Sequence, residues 1–267
     1  SVPAYTTNTV RDHRHILSDC GAKGAIVSTR ALAARLLPAA AEVAATEFII
    51  TMEATAAGAF DIALYEWSAV MATGETSTHD LEPALQAQTR GDTACLIYTS
   101  GTGGNPKGVM LSHAAVMSNC MGARELLRQL GLGDEVFLSF LPLSHAYEHT
   151  AGLYFPISIK AQIYFAESVE TLSANLVEVR PTIMVSVPRL YEVMHRRITL
   201  GLKRQSKIKQ HLFAKAVALG RKHYENPGSL GLVQGALNRV LEGVVRDKVR
   251  ARFGGRLKAM VSGGAPL

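Results

Sequence analysis

The sequence predicts an α/β protein built from largely parallel sheets covered by helices. Short apolar runs rich in Val, Ile and aromatic residues alternate with longer segments of helical period. The runs are nearly continuous rather than alternating, as strands covered on both faces require. The chain has 267 residues, 48% of them hydrophobic and 19% charged, enough to bury a sizeable core as one large or two smaller domains.

The elements follow in order. After Thr9, "VRDHRHILSDC" has helical spacing and is stopped by Gly21. "GAIVS" (24–28) then reads as a strand, an Ala/Leu-rich stretch as a helix, and "EFIITM" (47–52) as the next strand. The rhythm resumes with the strand "TACLIYT" (93–99) and a helix capped by Ser112 that runs to about Leu127. Strands follow at "EVFLSFL" (135–141) and "AQIYFA" (161–166), a helix from Ser168 to about Val179, and a strand at "TIMVSV" (182–187). From Pro188 the strand signal vanishes for some seventy residues. Leu190, Val193, Met194, Ile198, Ile208, Leu212, Phe213 and Val217 there fall at helical spacing. A last strand, "LKAMVSG" (257–263), precedes a Gly-Gly turn. Both ends read as cut from a longer chain.

The net charge of +6 is unevenly spread: 17 of the 28 Lys and Arg lie between Arg189 and Lys258, against four acids. Nucleic acid, an anionic membrane and a phosphate-rich cofactor are the partners such a region can serve, and a solvated helix face is the plain alternative. Its aromatics, Tyr191, Phe213, Tyr224 and Phe253, are too sparse for a base-stacking platform. Cys20, Cys95 and Cys120 show no CxxC spacing, which predicts free thiols rather than disulfides or a zinc site. The absence of a long apolar run and of a leader pattern in residues 1–10 predicts a cytoplasmic protein, with peripheral contact to an anionic membrane through the basic region.

The chemistry concentrates between Thr99 and Gly108. Gly101, Gly103, Gly104 and Gly108 let backbone amides turn toward one centre, Thr99, Ser100 and Thr102 add hydroxyls, and Lys107 adds a point charge. Such a cradle suits a polyphosphate; a simple glycine-rich turn is the alternative. A P-loop would need glycine before the lysine and Ser or Thr after it, where Pro106 and Gly108 stand. A dinucleotide fingerprint starting at Gly101 needs glycine at Pro106 and a helix directly after the loop, whereas "GVML" reads as a strand.

"YTSGTGGNPKGVMLSH" (98–113) resembles the phosphate-binding signature of the adenylate-forming enzymes, the superfamily of acyl-CoA synthetases, luciferase-like enzymes and peptide-synthetase adenylation domains. Gly103 stands where that family usually has Thr. "FLPLSHAYEHTAGLY" (140–154) is similar to the segment lining the family's acyl pocket. "SVPRLYEVM" (186–194) resembles the long-chain fatty acyl-CoA synthetase branch, and "VSGGAPL" (261–267) looks like its adenine turn. The resemblance spans residues 1–267, as part of an AMP-binding N-terminal domain with a helical basic insertion at about 189–256. The upstream part and the C-terminal domain have no counterpart here.

That resemblance implies ATP-dependent activation of a long-chain fatty acid through acyl-AMP to acyl-CoA, with ATP, Mg2+ and coenzyme A taking part. Lys107 and His145 are the implied catalytic residues. Thr99, Ser100, Gly101, Thr102, Gly103, Gly104 and Lys107 would hold the nucleotide phosphates, with Thr99 also on the metal. Gly263, Gly264, Ala265 and Pro266 would face adenine. His145 would contact the carboxylate or gate its access, with Glu148 orienting it or lying solvated; His113 and His149 read as capping or surface groups. The later family elements are missing, so the 267 residues alone are expected not to form acyl-CoA. Activation of an aryl, short-chain or amino acid, and a non-catalytic nucleotide- or nucleic-acid-binding module, are the alternatives.

Overall fold

The computed structural model describes residues 1–56, 58, 60–99 and 105–263, which divide between two compact units, Ser1–Ser118 and Asn119–Leu267.

The first unit opens with α1 (Val10–Cys20). Thr9 and Asp12 form a reciprocal cap: the Thr9 side chain accepts from the Asp12 amide, and the Asp12 carboxylate accepts from the Thr9 amide at 2.8 Å. Gly21, left-handed at φ 62°, ends the helix. β1 (Gly24–Val27), α2 (Arg30–Ala41), β2 (Phe48–Thr51) and β3 (Ala63–Glu66) follow, and the three strands pair in parallel in the order β1-β2-β3. Leu36, Leu37 and Ala40 of α2 pack with Leu17, Val27 and Ile49 into one apolar cluster. Full burial of one such leucine stabilises the unit by about 1.5–3 kcal/mol. The short helices α3 (Trp67–Glu75) and α4 (Glu82–Gln86) bury no residue.

The strand containing Tyr98 departs from the expected parallel rhythm. β4 (Thr93–Thr99) pairs antiparallel with β5 (Lys107–Ser112) in a two-stranded ribbon of its own, and α5 (His113–Leu127) follows at once. Only seven residues separate β4 from β5, too few for the crossover a parallel pair needs. Thr99 and Lys107, which flank the glycine-rich stretch, therefore belong to a hairpin rather than to the edge of a parallel sheet.

The second unit is a four-stranded parallel sheet in the order β7-β6-β8-β9. Its elements are β6 (Val136–Ser139), α6 (Ala146–Glu148), α7 (Phe155–Ser158), β7 (Gln162–Phe165), α8 (Leu172–Val179), β8 (Ile183–Ser186), α9 (Pro188–Lys203), α10 (Lys207–Glu225), α11 (Leu232–Leu241), α12 (Asp247–Ala251) and β9 (Ala259–Ser262). β6 and β8 are buried along their whole length, as their unbroken apolar runs require. Leu138, Leu172, Leu176, Met184 and Leu190 form the cluster under them. The basic region is four helices, with a π-helical turn (Glu242–Arg246) between α11 and α12. Among the described residues no helix is long and apolar enough to cross a membrane.

Candidate functional site

In the first unit the hairpin holds Thr99 and Lys107 directly opposite each other in the ladder, both exposed, at the stems of the glycine-rich segment. Three contacts with α1 fix those stems. The Tyr98 hydroxyl donates to Asp19 at 2.6 Å, His15 Nε2–H donates to the Pro106 carbonyl at 2.7 Å, and the His15 and Tyr98 rings meet edge to face. Burial, with the Asp19 carboxylate second, pushes the Tyr98 phenol above its ordinary range, so it remains a donor. A Cβ at Gly108 would stand 3.0 Å from the Tyr98 ring. Glycine there is a matter of space. Ser100, Gly101, Thr102, Gly103 and Gly104 lie outside the described residues, as do Gly264, Ala265 and Pro266.

In the second unit, the carboxyl ends of three neighbouring strands each carry a serine: Ser139 on β6, Ser186 on β8 and Ser262 on β9. This is the edge where parallel α/β sheets collect ligands. The chain leaving β6 folds over it. His145 is the N-cap of α6, and its Nδ1 accepts from the Tyr147 amide at 3.2 Å. In the neutral ring that bond leaves the proton on Nε2, so the exposed edge of the imidazole is a donor, suited to a carboxylate oxygen.

Tyr147, which the sequence did not single out, joins this turn to the end of β9. Its hydroxyl donates to the Val261 carbonyl at 2.8 Å, and a Cβ at Gly263 would lie 2.5 Å from its ring. The turn that carries His145 and the end of β9, far apart in sequence, are thus joined by one aromatic side chain. Burial, and then the neighbouring Glu148, push the Tyr147 phenol up to about 12. The "SVPRLYE" stretch fastens the same edge: Ser186 donates to the Tyr191 hydroxyl at 2.9 Å, and Tyr191 donates to the Met260 carbonyl at 3.1 Å.

Glu148 does not orient His145. It is fully buried beneath the turn, where it accepts from the Ser139 hydroxyl, and Gly152 lies so close that any Cβ there would strike its carboxylate. Residues three apart share a face only within a helix, and His145 is an N-cap at φ −90°, ψ 130°, off that face. Burial pushes the Glu148 carboxyl up to about 7 against the opposing pull of Ser139 and the backbone amides of Leu141 and Phe140, and its Oε2 has no hydrogen-bond partner among the described residues. His149 is not a surface group either. It is buried edge-on to Tyr154, with Nδ1 donating to the Leu143 carbonyl at 2.9 Å, and burial lowers its pKa. Cys95 and Cys120 are buried free thiols and Cys20 is half-buried. Among the described residues no cluster of three or more His, Cys, Asp or Glu side chains is placed to hold a metal ion.

The chain belongs to the AMP-binding enzyme family, whose model matches residues 1–267. It is 30% identical over all 267 residues to the long-chain-fatty-acid–CoA ligase FadD15 of Mycobacterium tuberculosis, of which it covers 43%. It is 33% identical over 212 residues to human long-chain-fatty-acid–CoA ligase ACSBG2, a match covering 76% of this chain and 31% of that one. The whole chain superposes on the A-PCP didomain of a carboxylic acid reductase from Segniliparus rugosus in complex with AMP, with a TM-score of 0.70 at 21% identity and 36% coverage of that chain. The chain thus spans less than half the length of these relatives.

Proposed function

We propose that the protein containing this chain activates a long-chain fatty acid with ATP and passes the acyl group to coenzyme A. The observation that supports the reading is that Tyr147, two residues on from His145, ties that turn to Val261 and Gly263 at the sheet edge, in a chain that also holds the Tyr98–His113 motif. A carboxylate oxygen attacks the α-phosphorus, the bond to the bridging oxygen breaks, and pyrophosphate leaves. The coenzyme A thiolate then attacks the acyl carbon and AMP departs. A carboxylate needs no base at neutral pH, so His145 is a positioning donor rather than a proton acceptor.

The first step brings anions together, and its main cost is electrostatic. Lys107 and the amides and hydroxyls from Thr99 to Gly104 would offset the triphosphate charge, and Gly263 to Pro266 would lie against adenine. The Thr99 hydroxyl is the hard oxygen donor that magnesium takes, and the ion would be held chiefly by phosphate oxygens, adding charge neutralisation. In the full-length enzyme, Lys107→Ala should lower ATP–pyrophosphate exchange by on the order of 10²-fold while leaving thermal unfolding unchanged. Undiminished exchange sinks the role of Lys107.

Similarity to a carboxylic acid reductase keeps a second acid class in view. Exchange measured across aliphatic, aryl and amino acids decides: fastest turnover with long aliphatic acids supports the reading, and fastest turnover with an aryl or amino acid replaces it. Residues 189–256 read as a helical insertion that meets anionic lipid. The lysines from Lys203 to Lys248 have no carboxylate partner among the described residues, and Tyr224, Leu232 and Val233 stand out into solvent. Binding to phosphatidylglycerol vesicles that weakens with salt is expected, and equal binding to neutral vesicles removes the electrostatic part.

A further inference from the structure

The helices α9, α10 and α12 leave a half-open cavity of about 470 Å³ between them. That lies within the roughly 300–1,000 Å³ typical of small-molecule sites. Its walls are apolar: Ile198 and Leu202 from α9, Leu212 and Phe213 from α10, Val245 and Val249 from the segment after α11. Its other lining residues include Lys209, Lys248 and Arg252, and none carries a carboxylate. The four acids of the region are already engaged: Glu192 with Arg189, Glu225 with Arg221, Glu242 with Arg246 and Arg250, and Asp247 with Arg250. Among the described residues Lys209 donates only to the Gln205 amide oxygen, at 3.1 Å. The cavity shares no residue with the His145 turn or with β9.

Apolar walls with three cations and no internal counter-charge match an elongated apolar ligand with one anionic end. A neutral apolar ligand would leave the cations unused, and a compact polyanion would desolvate the walls for no gain. We propose that this cavity binds a single-chain anionic amphiphile, specifically a long-chain carboxylate, at a site separate from the one where the acid is activated. A carboxylate held there is a reservoir or an effector of the adjoining enzyme, and the inference stands whether or not the proposed acyl-CoA synthesis is correct.

Gly201 provides the decisive variant. It lines the cavity from α9, and nothing lies within 4 Å of where its Cβ would be. Gly201→Leu fills the space and improves helix propensity, so it blocks the site without threatening the fold. The chain would be titrated calorimetrically with monomeric dodecanoate, dodecanol and a lysophosphatidate of equal chain length. Dodecanoate should bind at least about tenfold more tightly than dodecanol. Gly201→Leu should remove one site for dodecanoate and leave any binding at the His145 edge, and replacing Lys209, Lys248 and Arg252 by Gln should bring acid and alcohol to the same affinity at the removed site. His145→Ala should leave that site intact. A dodecanoate stoichiometry unchanged by Gly201→Leu, loss of the Gly201-sensitive site in His145→Ala, equal affinity for acid and alcohol at that site, or no binding overturns the proposal. Tighter binding of lysophosphatidate than of dodecanoate reassigns the cavity to membrane lipid and overturns the carboxylate assignment.

Discussion

β6 has a buried carboxylate near each end, and the two are treated in opposite ways. Glu135, just before the strand, takes an ion pair from Lys258 at 2.6 Å, a hydroxyl bond from Thr182 and the Gly133 amide at 3.0 Å. Burial works against its ionised form, but these donors outweigh it and hold its pKa below the usual carboxylate range. Glu148, folded back onto the far end, has the Ser139 hydroxyl and the Leu141 and Phe140 amides but no cation, and burial outweighs them, pushing its carboxyl up to about 7. The amino end of the sheet is neutralised and fixed. The carboxyl end keeps an electrostatic cost beneath the His145 turn, and perturbed, uncompensated groups of this kind gather where ligands bind.

The largest expected effect comes from removing that cost. A carboxyl raised from its ordinary 4.5 to about 7 binds more protons in the folded state than in the unfolded one between those values. Folding stability should therefore fall as pH rises through that window, by up to about 3 kcal/mol, with the full penalty present above pH 7. Glu148→Gln should remove the slope, making the variant more stable than the parent at pH 8 and equal to it near pH 4. Urea unfolding at the two pH values reads this out, and parallel pH profiles for parent and variant would mean that Glu148 is not the titrating group.

Lys258→Ala should show the opposite signature. It strands the ionised Glu135 with only its neutral donors, a loss of about 2 kcal/mol once the partial exposure of the lysine is allowed for. The depressed pKa of Glu135 means that its contribution is present above its unfolded value and fades as pH falls through the folded one. The variant should accordingly be weakest at pH 8 and recover toward the parent in acid. Should both variants respond to pH with the same sign, the contrast between the two ends fails.

Much of this arrangement was legible in the residue order where the determinants are local. The Thr9–Asp12 cap, the Gly21 stop, the strand at 93–99 and the helix from Ser112 were each written in a few adjacent residues. β3 was not, because its four residues are largely exposed and carry no apolar run. The antiparallel hairpin escaped the expectation of parallel pairing, which came from neighbouring strands rather than from the seven residues between Thr99 and Lys107. The direction of Glu148 and the burial of His149 depend on a three-residue helix running into a π-helical turn (His149–Tyr154), a geometry that no local period announces. Tyr147 could have been suspected only as an aromatic beside His145, since its partner lies 114 residues away.

That long-range bond supports the smallest and most specific test of the contrast. Tyr147→Phe keeps the ring that packs on Gly263 and removes only the hydroxyl that reaches Val261. One intramolecular hydrogen bond contributes about 1 kcal/mol, and the Val261 carbonyl still has the Ser186 hydroxyl at 3.4 Å, so global stability should drop by no more than that amount. The consequence for the site should be larger in proportion, because the bond couples the His145 turn to the end of β9. In the full-length enzyme, KM for the acid should rise while the pH profile of stability stays that of the parent. A loss of stability with KM unchanged would make Tyr147 a packing residue of the sheet edge and leave the His145 turn held by its own cap and by Glu148.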